Sequence, residues 1–163
     1  MPLIKKTGAE IANEWTFVPD GAVIPAAGSY TVSLGRFLAI ATGQERGRTA
    51  EGVRLGPADE PAQLLPYLYG LSLIEIDFPR YTDGRGYSQA QLLRRRYGYT
   101  GELRAVGHVL RDQIFYMNRS GFDAYETRRA AVSEVVEALS EFSVVYQPAA
   151  DTAQAAFRKR STS

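Results

Sequence analysis

Two aspartates, two arginines and two glycines crowd into DFPRYTDGRGYS, residues 77–88. Asp83-Gly84-Arg85-Gly86 sets unhindered backbone beside a guanidinium, just ahead of a predicted helix start at Ser88. Free N–H groups and the helix dipole make such a place attractive to an anion. Arg80 and Arg85 would add charge-assisted hydrogen bonds to a phosphate, sulfate, sulfite or carboxylate. The same residues also fit a tight turn in which Asp83 bonds its own backbone. DGRG is neither a P-loop nor a dinucleotide fingerprint. The chemistry it suggests is therefore an anion or partner contact through Arg80, Asp83, Gly84, Arg85, Gly86 and Ser88, joined by Arg104 and Arg111 from the following strand and helix start.

Upstream lies LSLIEIDF, residues 71–78, in which Glu75 and Asp77 fall on one face by the period of two. A central parallel strand is covered on both faces, so these carboxylates need counter-charges or an open cleft. Arg104 and Arg111, from the next strand and just beyond it, are the expected counter-charges. Two readings follow: an ion-pair network at the carboxyl edge of the sheet, or the floor of a charged pocket. In the second, Asp77, Asp83 and Asp112 are the catalytic candidates, as base or metal ligand. Asp77 and Asp83 alone supply too few oxygens for magnesium or calcium, and no metal site is assigned. His108, Arg111, Asp112 and Gln113 surround another helix start, and Asp123 and Glu126 a third charged loop. His108 is a possible general acid or base by its ordinary pKa; without a nucleophile motif beside it, a polar helix-start residue is the plainer reading. Arg94-Arg95-Arg96 reads as a solvated last turn of a helix, where cations complement the dipole.

These loops need a scaffold. Ser33 is a plausible N-cap for a helix with Leu34, Phe37, Leu38 and Ala41 on one face. GVRLG (52–56) reads as a strand and PAQLLPYLYG as a short helix interrupted by Pro66. LSLIEIDF is the strongest strand. SQAQLLRRRYG begins with the capping box Ser88-x-x-Gln91 and stops at Gly98. GELRAVG (101–107) is a strand, HVLRDQIFYMNRSG a helix closed by Gly121, and 122–126 a further strand. AAVSEVVEALSEF reads as a helix and SVVYQ as a last strand. Alternation recurring about every 20–25 residues predicts α/β with a mainly parallel sheet, with sites at the strands' carboxyl ends. A doubly wound open sheet is expected, and a partial βα barrel is the alternative.

The chain has 163 residues, enough for one domain with a real core. Residues 1–147 are expected to form that domain, with an irregular arm over about the first 30, rich in Gly, Pro and Ala. The polar tail 148–163 is expected to fray. A net charge of +1 supplies no general field for nucleic acid or membrane, and neither is expected as a partner. The start carries lysines but no apolar signal core, so the cytoplasm is expected. There is no cysteine, which excludes disulfides, zinc–thiolate sites, protein-ligated iron–sulfur clusters and thiol redox chemistry on this chain. The sequence signals no cofactor and leaves a homo-oligomer open.

The segments FPRYTDGRGYS, ELRAVG and VLRDQ, at 78–88, 102–107 and 109–113, resemble the bacterial domain-of-unknown-function family nine hundred and thirty-four when taken in this order. The likeness is dense from about Leu71 to Tyr146. It implies a role in sulfate assimilation, since members are typically encoded beside the haem subunit of assimilatory sulfite reductase. It carries over no catalytic residue. This chain has His108 and Ser120 where members often have Asp and Cys, which argues against a shared thiol mechanism. The leading expectation is an accessory protein that acts with the sulfite reductase haem subunit. A small enzyme or binder of a phosphorylated or sulfated anion is the alternative, and a purely structural subunit the third.

Overall fold

Eight strands and four α-helices make up the described residues of the computed structural model, 2–48, 50–127 and 132–140. In chain order they are β1 (Leu3–Lys5), β2 (Glu10–Ile11), β3 (Trp15–Phe17), β4 (Ser29–Ser33), α1 (Leu34–Ala41) and β5 (Gly52–Leu55). A 3₁₀ segment (Pro61–Gly70) precedes β6 (Leu73–Phe78), and α2 (Arg85–Gln91) runs on into a π turn (Leu92–Arg96). Then come β7 (Glu102–Gly107), α3 (Arg111–Ser120), β8 (Ala124–Glu126) and α4 (Val132–Ser140). The strand expected at 143–147 and the tail from 148 lie outside the described residues.

All eight strands join one sheet in the order β2-β1-β8-β7-β6-β5-β4-β3. From β3 to β8 each strand pairs in parallel with the next in sequence, whereas β1 pairs antiparallel with both β8 and β2. The sheet is therefore mixed, which corrects the expectation of a mainly parallel one. The doubly wound order is also corrected. Strands are added in one direction without reversal, so right-handed crossovers stack their helices on a single face. Side-chain parity agrees. Ile74, Ile76 and Phe78 of β6 and Leu103 and Ala105 of β7 share a core with Phe37, Ala90, Leu93, Ile114 and Met117. Each fully buried Leu, Ile, Met or Phe side chain among them contributes about 1.5–3 kcal/mol.

The other face is covered by curling. Seven inter-strand steps separate β2 from β3, a distance of about 34 Å along the sheet at ~4.8 Å per step. Yet only residues 12–14 join them, and the four steps from Ile11 to Trp15 reach at most about 14 Å. The two ends of the sheet must come close together, which bends it into a half-barrel. The partial-barrel alternative thus describes the shape. The N-terminal arm supplies β1, β2 and β3, the strands that make this closure.

Local signals set the helix ends. Ser33 Oγ accepts from the Arg36 N–H at 3.3 Å, capping α1 as expected. Gly98 (φ +68°) and Gly121 (φ +105°) take the left-handed conformation that stops the π turn and α3. Pro66 lies inside the 3₁₀ segment rather than breaking it.

Candidate functional site

The carboxyl ends of β6 and β7 carry the predicted loops, and hydrogen bonds fix them to each other. His108 N–H donates to Phe78 O at 2.7 Å, and Gln113 Nε2 donates to Tyr81 O at 2.6 Å. Gln113 Oε1 also accepts from the Leu110 N–H at 3.2 Å, at the start of α3. Gly107 is confined by the crossing of these strands. At φ +91°, an added Cβ would lie 2.6 Å from both Phe78 O and Asp77 Oδ1. Asp77 thus lies over the Gly107 backbone at the carboxyl end of β6, partly exposed.

Within the first loop Asp83 and Arg85 satisfy one another. Asp83 accepts from Arg85 three times: from its backbone N at 3.1 Å, Nε at 3.0 Å and Nη2 at 2.7 Å. Those hydrogen bonds hold the Asp83 carboxyl below its usual range and push the Arg85 guanidinium up. The tight-turn reading of Asp83 is therefore the observed geometry. Helix α2 begins at Arg85 with Gly84 as its cap residue, three positions before the expected start. Ser88 lies inside the helix, exposed, so the Ser88–Gln91 capping box is not formed. The reason is that Asp83 already accepts from the Arg85 N–H at the helix start. Nor do both glycines serve as flexible backbone. Gly84 has φ −82°, and a Cβ on Gly86 would fall 2.6 Å from the Phe78 ring. Gly86 is there so that α2 can pack against β6. Pro79, Arg80, Thr82, Asp83, Gly84 and Arg85 enclose a polar concavity of about 390 Å³. Arg80 is exposed on its rim and has no ion-pair partner among the described residues.

Arg104 does not join this loop. It lies in the middle of the concave face with 2% of its side chain exposed, as does Glu75. Arg54, Glu75 and Arg104 occupy one register row on β5, β6 and β7. Cation, anion and cation therefore alternate across three neighbouring strands. Glu75 Oε2 accepts from Thr31 Oγ1 at 2.7 Å and Arg54 Nε at 2.9 Å, with Arg104 Nη1 3.8 Å from Oε1. Arg104 also donates to Glu102 at 2.9 and 2.7 Å and to Asn13 Oδ1 at 2.8 Å. The Arg54 guanidinium stacks 3.9 Å from the centre of the Phe17 ring. Glu75 and Arg104 thus do form the expected counter-charge pair, but inside the curled sheet rather than at its carboxyl edge.

Arg111 opens α3 and lies 3.6 Å from Asp112 and 3.8 Å from Glu137. Asp112 is 89% exposed, and His108 is exposed as well. Asp123 sits at the opposite end of the sheet, before β8, where it holds Lys6, Arg94 and the Leu103 N–H. Arg94 is not a solvated helix end. Its guanidinium donates to the carbonyls of Tyr99 (2.6 Å), Gly101 (2.8 Å) and Gly121 (2.9 Å), besides pairing with Asp123. The π turn carries it inward, while Arg95 and Arg96 stay exposed. Glu126 is buried on β8.

Sequence reasoning missed Thr31, Arg54 and Asn13, whose partners are remote in sequence. The faint signal available was Arg54 interrupting an otherwise apolar strand. Among the described residues, no group of three or more His, Asp or Glu side chains gathers to hold a metal ion. No described helix is long and apolar enough to cross a membrane.

Fold and loop together define an α/β half-barrel whose inner face holds a buried ion network and whose strand-end loop pairs Asp83 with Arg85 and leaves Arg80 on its rim. A model of the family described as bacterial proteins of unknown function, DUF934, matches residues 52–157, about two-thirds of the chain, and the chain belongs to that family. No curated protein and no solved structure matches it.

Proposed function

We propose that this chain is an accessory protein of assimilatory sulfite reduction, binding the reductase haem subunit through the rim formed by residues 79–85 and Gln113. Family membership over 52–157 supports the setting, through the gene neighbourhood that the family likeness implies. The observation that carries the mode of action is the Asp83–Arg85 bracket. Three hydrogen bonds engage the carboxylate that a base would need, and two of them engage the guanidinium that an anion would need. A loop so committed presents a fixed shape, which suits recognition of a protein surface better than turnover. Tyr81 and Tyr116, 59% and 61% exposed, add the aromatic area that interfaces favour. The cysteine-free chain suits a helper rather than an electron carrier.

The test is reconstitution of the cognate haem subunit with and without this chain, following complex formation and sulfide production. Co-elution and a changed rate support the reading, whereas neither effect at micromolar concentrations overturns it. A second reading, a binder of a small oxyanion, rests on Arg80 at the rim of the 390 Å³ concavity. Thermal-shift titration with sulfite, sulfate and phosphate separates it from the first.

A further inference from the structure

The closure of the half-barrel depends on residues 12–14, all three of them exposed, which run from β2 to β3 across the mouth of the curled sheet. They are lightly held. Strand β2 is two residues long and pairs only with β1 at the sheet edge. Across the gap, Asn13 Oδ1 accepts from Arg104 Nη1 at 2.8 Å and from the Trp15 N–H at 3.0 Å. The first bond joins residues 91 positions apart. Beneath it lies the densest set of buried charge on the inner face: Glu75 and Arg104, both 2% exposed, with Thr31 fully buried beside them. Short pairing and exposed backbone are the features of segments that open locally, below the free energy of global unfolding. Buried ions gain hydration when such a segment opens, which lowers the cost of opening.

We propose that residues 12–14 are a releasable strap, latched by Asn13 on Arg104, whose opening admits solvent to the Arg54–Glu75–Arg104 network while the helical face stays folded. Trp15, the chain's single tryptophan, stands at the hinge with its ring against the Gly52 backbone, and so reports strap position. The absence of cysteine allows one reporter thiol, Thr31→Cys, on the covered face.

In the Thr31→Cys chain, Asn13→Ala is expected to raise the rate of maleimide labelling about tenfold, the factor a charge-assisted hydrogen bond contributes. Asn13→Asp, which sets a carboxylate against Arg104, is expected to slow labelling below the parent rate. Met117→Ala, a buried change on the helical face, is the control for global unfolding. Equal acceleration in Met117→Ala and Asn13→Ala at matched urea midpoints would overturn the strap, as would no change in either Asn13 variant. Should Thr31→Cys not fold, acrylamide quenching of Trp15 in the otherwise unaltered chain gives the same comparison. Quenching raised by Asn13→Ala and lowered by Asn13→Asp supports the strap, and equal quenching in both overturns it.

Discussion

Glu75 and Arg104 face each other across β6 and β7, Oε1 to Nη1 3.8 Å, with each side chain 2% exposed. The pair is the centre of a network whose other members come from β4, β5, the N-terminal arm and, through Glu102, β7 itself. Glu75→Ala would leave Arg104, which is buried, and Arg54, which is partly exposed, without their shared anion. A loss of about 1.5–3 kcal/mol is expected, less than for an uncompensated buried charge, because Arg104 keeps Glu102 and Arg54 is partly exposed. Urea melts would check this. In the Glu75→Ala/Arg104→Ala double variant the loss should fall below the sum of the singles, as it must for groups that interact.

Gly107 and Gly84 make a contrasting pair. A methyl at Gly107 meets Phe78 O and Asp77 Oδ1 at 2.6 Å with φ +91°, so Gly107→Ala should cost at least about 2 kcal/mol. Gly84 has open space and an ordinary φ, and Gly84→Ala should change stability by under about 0.5 kcal/mol. Thermal melts of the two variants give the comparison. Equal losses would mean that the crossing of β6 and β7 is looser than its geometry indicates.

Burial pushes the Tyr87 phenol up to about 12, and Tyr99 and Tyr125 are raised in the same direction for the same reason. For all three the folded value lies above the unfolded one. Their contribution is therefore complete below about pH 10 and is lost as pH rises past it. Stability against urea should decline from pH 10 towards 12, and Tyr87→Phe should make that decline shallower. An unchanged slope in Tyr87→Phe would count against burial of the phenol.

Arg94 bridges the π turn, the loop at Tyr99–Gly101 and the start of β8. Lysine keeps the charge but cannot reach several acceptors in the fixed fork of a guanidinium. Arg94→Lys is expected to cost about 2–3 kcal/mol by chemical denaturation. Arg95→Lys on the exposed face should stay within about 0.5 kcal/mol.

If the rim at residues 79–85 is the contact with the reductase haem subunit, Arg80→Ala should weaken complex formation about tenfold or more. The fold is expected to stay unchanged, since Arg80 makes no ion pair among the described residues. Asp83→Ala should weaken binding too, because the Arg85 bracket loses its acceptor. Size-exclusion co-elution and surface-based titration measure both.

Local features of this protein could be read from the chain alone. The near-continuous apolar run at 71–78 marked β6, because a strand buried on both faces has little room for polar residues. Ser33 and Gly121 set helix ends through chemistry that acts within a few residues. The loop 77–88 declared itself by composition, and the tight-turn role of Asp83 was visible because its partner is two residues away. What tertiary structure alone decided involves distance along the chain. Strand order is set by how crossovers pack, so the half-barrel, its antiparallel edge and the strap at residues 12–14 leave little trace in local periodicity. The same holds for Arg94 and Arg104, two arginines that composition leaves looking alike. One is turned inward by a π turn and the other by strand parity, and each is held by partners that only the folded chain brings near.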